Sequence, residues 1–361
     1  LRVLVHQIGS LGDTIVSIPA LRLVRRRYGP SAQITLLSQV SRAELVKARE
    51  VVQGSGLVDD YIEYQMGGSR ADLLKMVAGL WWKLVRRRFD TVVYLMESER
   101  SVQSVQRDIL FFKLCGIRTR LGFEAFSRDF LYPRDANGRP RQVPHEARRR
   151  AERLSKYGFD LVTESDLNDP FLTVPDSDRA AAQAWLDRHR RHPERRLAAI
   201  CPASKMTSKL WPTDRWAEIG KRLVGLGEYE LVVIGGPGDR AMGDGLIAAW
   251  GDGINAAGEF SIMGSAALLH QCAFVVSVDS GPMHLAAVGG VPCVAVFSSI
   301  DFPGRFSPLG RNHILLRHGD LPCAACRKET CPVPGHPCMT GIEVEDVWQA
   351  VQKVAGGVKI G

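Results

Sequence analysis

The sequence predicts an α/β protein built as two doubly wound, Rossmann-like domains facing across a cleft. Strand-sized apolar runs alternate with helical periodicity along the chain. The alternation breaks once, between Asp160 and Asp178, in a stretch rich in Asp, Pro, Ser and Thr, and then restarts. The 361 residues also suffice for two cores at roughly 150 residues per domain. These observations place an amino-terminal domain over 1–170, a carboxy-terminal domain over 171–342 and a final helix within 343–361.

The elements follow in order. Residues 1–6 form a short apolar strand, 9–12 a loop, and Asp13 precedes a helical pattern through Ile15, Pro19, Leu21, Leu23 and Val24 to Tyr28. A strand at 33–37, a helix at 70–88, a strand at 91–95, a helix at 101–114 and a strand at 118–122 complete the first sheet. A helix starting near His145 ends at about Tyr157. The second half reads as helices at 178–190, 213–226, 240–250 and 261–271, interleaved with strands at 197–201, 231–234, near Ile254, at 274–278 and at 291–297. Alternation of this kind predicts parallel sheets covered on both faces, with ligands outside the carboxyl ends of the strands.

An apolar fraction of 45% and a charged fraction of 24% are those of an ordinary globular chain, which excludes a disordered, collagen-like or coiled-coil protein. No apolar run approaches the roughly 18 residues of a spanning helix, and the first seven residues are too short for a signal-peptide core. The expected location is therefore the cytoplasm, with Leu at position 1 implying a lost initiator Met. The formal net charge of +8 concentrates in arginines at 25–27, 86–88, 148–150 and 188–196. Solvated helix faces are the default reading, and attraction to phosphorylated or anionic-lipid partners is the sharper one. Around Trp81 and Trp82 the mixture of aromatic and basic residues fits peripheral membrane contact, although core tryptophans fit equally. No nucleic-acid-binding motif occurs.

Four strand-end loops carry candidate chemistry. The segment from Gly9 to Asp13 opens a helix, where free backbone N–H groups favour an anion; Asp13 caps that helix or serves as a general base. In Val278-Asp-Ser-Gly-Pro-Met-His284 a strand ends at Asp279 and a helix begins. Ser280, Gly281 and His284 suit a pyrophosphate there, and a well-capped helix is the plain alternative. Between Ser204 and Pro212 stand two lysines, of which Lys209 can neutralise a departing phosphate. Gly235-Gly-Pro-Gly-Asp239 suits a ribose or base held by Asp239, or a simple turn. Cys323, Cys326, Cys331 and Cys338 cluster near His318 and His336, which suggests a structural zinc site more than disulfides, although the spacing lacks paired C-x-x-C units. Cys115, Cys201, Cys272 and Cys293 lie in apolar segments and read as packing residues.

In order, these loops resemble glycosyltransferase family 9, the heptosyltransferase family of lipopolysaccharide core assembly, over nearly the whole chain. The resemblance rests on Val5 to Leu21, on Lys209-Leu-Trp-Pro212, on Asp279 to Ala287 and on Gly290 to Phe297. It implies a GT-B fold, with the acceptor on the amino-terminal domain and ADP-heptose on the carboxy-terminal one. By that likeness Asp13 is the base of an inverting displacement, with Ser10, Leu11 and Gly12 beside a phosphorylated, lipid-linked acceptor. Lys209 contacts donor phosphates or sugar, Asp279 the sugar hydroxyls, and Ser280, Gly281 and His284 the pyrophosphate, with Ser204 and Asp239 completing the donor site. No divalent cofactor is required, the Cys-rich tail belongs to the architecture of some members, and the final helix packs back across the domain junction. Transfer of another activated sugar to a glycan or small molecule, a nucleotide-sugar epimerase, and a non-catalytic nucleotide-sugar-binding protein are the rivals.

Overall fold

The computed structural model describes residues 1–8, 10–40, 48–169 and 172–356. Two compact units emerge: Leu1–Pro133 with Pro144–Leu167, and Arg134–Val143 with Asn168–Gly361. Residues 170 and 171, where the sequence places the domain boundary, lie outside the described residues.

In the first unit, β1 (Arg2–His6), α1 (Leu11–Tyr28), β2 (Gln33–Val40), α2 (Ala48–Val52), β3 (Asp60–Gln65), α3 (Arg70–Arg87), β4 (Thr91–Tyr94), α4 (Val102–Leu114) and β5 (Thr119–Leu121) follow one another. The strands form one parallel sheet in the order β3-β2-β1-β4-β5. Val3, Leu4 and Val5 of the central strand are fully buried, because helices cover both faces; hence the strand reads as an unbroken apolar run. Helices α5 (Arg128–Leu131), α6 (Glu146–Ser155) and α7 (Glu164–Asn168) follow.

The second unit runs through α8 (Asp176–His189), β6 (Arg196–Cys201), a 3-10 turn at Thr207–Lys209, α9 (Thr213–Leu226), β7 (Tyr229–Val233), α10 (Arg240–Trp250), β8 (Ile254–Asn255) and α11 (Ile262–Leu269). It continues through β9 (Val275–Val278), α12 (Gly281–Val288), β10 (Cys293–Phe297), β11 (Ile314–Arg317), α13 (Pro337–Thr340) and α14 (Val344–Ala355). Its six parallel strands are ordered β11-β10-β9-β6-β7-β8. The apolar stripe Val347, Ala350, Val351 and Val354 seats α14 in this unit's core, beside β10, β11 and α9. The sequence reading omits β3 and β11, both edge strands: β3 is half polar, and all four residues of β11 are only half-buried.

Candidate active site

The first sheet reverses direction at β1 and β4: from β1 the chain moves outward to β2 and β3, then crosses to β4 and β5. Loops leaving the two central strands part there and leave the crevice in which open α/β sheets bind ligands. Gly9, in the β1–α1 loop, lies outside the described residues. Ser10 is the N-cap of α1, Leu11 and Gly12 begin the helix, and Asp13 is its third residue. The helix therefore starts before Asp13, a correction to the expectation that Asp13 precedes it. Asp13 Oδ2 accepts the Ser10 N–H and the Ser10 hydroxyl, each at 2.9 Å, so the acid of a capping box reaches back to its cap.

Its other oxygen, Oδ1, accepts from Arg150 Nη2 at 3.1 Å. The Arg150 side chain has no solvent exposure. Its Nη1 donates to the Asp13 carbonyl at 2.9 Å and to Ser17 Oγ at 2.5 Å, and its Nε to Glu146 Oε1 at 3.2 Å. Glu146, equally buried, accepts from the Ser98 N–H at 2.8 Å and the Ser98 hydroxyl at 2.6 Å. A charged chain thus runs from the β4–α4 loop through α6 to Asp13, each member satisfied as burial demands. For Arg149 and Arg150 the solvated-face reading fails, since both are buried, whereas Arg148 stays partly exposed beside Glu152 and Glu164. Nearby in sequence, His6 ends β1; burial lowers its pKa to about 4 and keeps it neutral.

In the second unit the sheet order reverses at β6 and β9. There Lys209, on the turn after β6, places Nζ 2.7 Å from Oδ2 of Asp279, at the end of β9. His284 Nε2 stands 4.0 Å from the other Asp279 oxygen. Asp279 and His284 are nearly buried, whereas Lys209 keeps partial access to solvent. Ser280 caps α12 through its backbone, makes no side-chain cap bond and lies 3.3 Å from the Ser277 hydroxyl, while Gly281 is the first helical residue. A cation, a carboxylate and the amino end of a helix thus meet at one switch point, a combination suited to phosphate and sugar hydroxyls.

The profile of glycosyltransferase family 9 (heptosyltransferase) matches residues 77–336. The chain belongs to that family. It is 24% identical over 346 residues to lipopolysaccharide heptosyltransferase 1 of Pseudomonas aeruginosa, covering 92% of this chain and 87% of the relative. It is 34% identical over 84 residues to lipooligosaccharide heptosyltransferase 2 of Campylobacter jejuni, spanning about a quarter of that protein's length. The solved E. coli ADP-heptose lipopolysaccharide heptosyltransferase II has the same fold, with a TM-score of 0.67, 20% identity and 99% of each chain covered.

Within this family member, the other predicted donor residues carry structural work as well. Asp239 Oδ2 accepts the Gly236 N–H at 2.7 Å, and a Cβ added at Gly235 would lie 2.7 Å from the same oxygen, so a larger residue there would push the Asp239 side chain aside. Ser204 Oγ accepts the Met206 N–H at 3.4 Å, shaping the loop that leads to Lys209. Among the described residues no group of three or more His, Cys, Asp or Glu side chains is arranged to hold a metal ion. Cys323, Cys326, Cys331 and Cys338 are free thiols lining one small cavity with Ser208 and His336.

The Cys-rich segment also braces the Lys209 turn. Ser208 N–H donates to Glu329 O at 3.0 Å, Thr207 Oγ1 to Glu329 O at 3.3 Å, and His336 Nε2 lies 2.9 Å from Ser208 O. Sequence reasoning missed this bracing, and it missed Arg150, Glu146 and Ser98. The only local signal for the last group was the i, i+4 spacing of Glu146 and Arg150, which surface helices share. The remaining cysteines pack as expected: Cys115, Cys201, Cys272 and Cys293 are buried, and burial pushes each thiol up, Cys272 to about 12.

Proposed function

We propose that the protein is an inverting glycosyltransferase that moves heptose from ADP-heptose to a hydroxyl of a phosphorylated, lipid-linked lipopolysaccharide-core acceptor. The observation that carries the reading is the Lys209–Asp279–His284 cluster at the β6/β9 switch point in a member of family 9. The heptosyltransferase names of the relatives and the ADP-heptose named for the E. coli structure support the donor. The amino-terminal half, nominally 1–170, takes the acceptor, and residues 171–342 take the donor.

Asp13 is the general base. An ionised carboxylate offers about four lone-pair sites. Among the described residues, Ser10 takes two on Oδ2 and Arg150 one on Oδ1, leaving one on Oδ1 for an acceptor hydroxyl. As that oxygen bonds to the anomeric carbon, its proton passes to Asp13 and the bond from the carbon to the ADP oxygen breaks. Ser10, Leu11 and Gly12 border the acceptor. Lys209 and the amino end of α12, at Ser280 and Gly281, receive the charge that develops on the diphosphate. His284 helps to hold the pyrophosphate, Asp279 accepts from donor sugar hydroxyls, Ser204 lines the donor loop and Asp239 takes the ribose. The scheme needs no divalent cation, because Lys209 and backbone N–H groups supply the positive charge.

The experiment is a calorimetric titration with ADP, UDP and GDP in EDTA, followed by transfer from the preferred sugar nucleotide. Preference for ADP with transfer of heptose is expected. Preference for UDP or GDP overturns the donor, and hydrolysis or epimerisation without acceptor overturns the reaction class.

A further inference from the structure

Helix α3 carries an apolar stripe at Leu73, Val77, Leu80 and Leu84, spaced i, i+4, i+7 and i+11 on one face. Leu80 and Leu84 are buried in the first unit's core, but Leu73 and Val77 are exposed. Every residue from Arg70 to Gly79 is exposed except half-buried Met76. The stripe therefore continues for about 10 Å beyond the core that its other half covers. Leu74 is 70% exposed and Trp82 55%, among the most exposed large apolar side chains of the described residues. Trp81 Nε1 donates to Leu114 O at 3.0 Å, which joins this surface to the end of α4, where Leu110 and Leu114 are also exposed.

The charge on the helix is one-sided. Residues 70–88 contain six Lys or Arg and one acid, Asp72. That acid is engaged in its own capping box, accepting the Ser69 N–H at 2.9 Å and the Ser69 hydroxyl at 2.8 Å. Arg86 lies over the Trp82 ring at 5.6 Å. An isolated helix gains little from propensity alone, so an uncovered apolar half needs a partner surface. A second copy across a two-fold axis would set two cationic helices against each other. An anionic bilayer instead accepts apolar side chains at its boundary, indole rings at headgroup depth and Lys or Arg in its negative surface potential.

We propose that the α3 face, with the end of α4, docks the protein on an anionic lipid surface. This deepens the lipid-linked-acceptor reading above, and the test uses neither donor nor acceptor. The full-length protein is floated with phosphatidylcholine vesicles, with or without 30 mol% phosphatidylglycerol, at low and high salt. The expected result is at least tenfold greater partitioning onto the anionic vesicles, with most of the gain lost at high salt. A Leu74→Ser/Trp82→Ser pair and a Lys75→Glu/Lys83→Glu pair should each reduce binding at least tenfold while unfolding temperature and ADP affinity are unchanged. Absent or charge-independent vesicle binding, variants that bind like the parent, or a solution dimer dissolved by Leu74→Ser/Trp82→Ser would overturn the proposal. Vesicle binding by a protein that transfers no heptose would retain the docking surface and sink the transfer reading.

Discussion

Arg150 holds Asp13 twice, through the carboxylate at 3.1 Å and through the backbone carbonyl at 2.9 Å, from a helix 137 residues away in sequence. Both the position and the direction of the carboxylate therefore depend on α6. A lysine at 150 keeps the charge but lacks the planar fork that spans two acceptors. Arg150→Lys should lower the transfer rate about a hundredfold and leave ADP affinity within twofold. Steady-state kinetics with an ADP titration reads both, and an unchanged rate would remove Arg150 from the positioning role.

Asp13→Asn preserves size and can still accept from Ser10 or Arg150, but it cannot take up the acceptor proton. Loss of a general base costs about 10²- to 10⁴-fold, and that loss is expected in turnover without a matching change in donor affinity. Near-normal transfer would place the base elsewhere.

Lys209 and Asp279 should separate in their effects. Lys209→Ala removes the cation proposed to receive the charge of the leaving diphosphate and should cost about 10²- to 10³-fold in turnover, the range for one charge-stabilising donor. Asp279→Asn should chiefly raise the KM for the sugar nucleotide while ADP itself binds nearly normally. Equal effects of Asp279→Asn on ADP and ADP-heptose would contradict its assignment to the sugar.

The bracing of the Lys209 turn predicts an effect outside the site. His336 Nε2 lies 2.9 Å from Ser208 O. His336→Ala should loosen the turn and reduce turnover more than it reduces thermal stability. A stability loss without any kinetic change would make the contact purely structural.

Stability should fall on mild acidification. His313 accepts the Cys293 N–H through Nδ1 at 3.2 Å and lies 3.0 Å from Leu309 O through Nε2, an arrangement that requires the neutral ring. Burial lowers its pKa from 6.5 to about 4. Because the folded pKa lies below the unfolded one, the unfolded chain binds more protons between those values. The contribution is complete above about pH 6.5 and is lost as pH falls toward 4, with a total on the order of 3 kcal/mol. His313→Gln should flatten that part of a denaturation-versus-pH curve; an unchanged slope would exclude His313.

The central parallel strands were legible because their two-sided burial writes them as apolar runs, and Gly or Pro at their ends marks the loops. The edge strands β3 and β11 lack that signature, since one side of each faces solvent or only partial cover. Lys209 and Asp279 were each recognisable from the residues around them. Their 2.7 Å pairing was not, because it depends on β6 and β9 being neighbours although β7 and β8 intervene in the chain.

The sequence by itself determined two α/β halves, the strand-end loops and the residue types able to handle a proton and a diphosphate. Tertiary structure alone decided that Ser10 caps α1, that Arg149 and Arg150 are buried and that, among the described residues, the outer half of α3 stays exposed. The physical reason is that composition and spacing report which face of an element is apolar, whereas partners for a buried charge or an uncovered stripe come from segments far away along the chain. An arginine run has one spelling in water and in a core; only the arrival of Asp13 beside Arg150 distinguishes them.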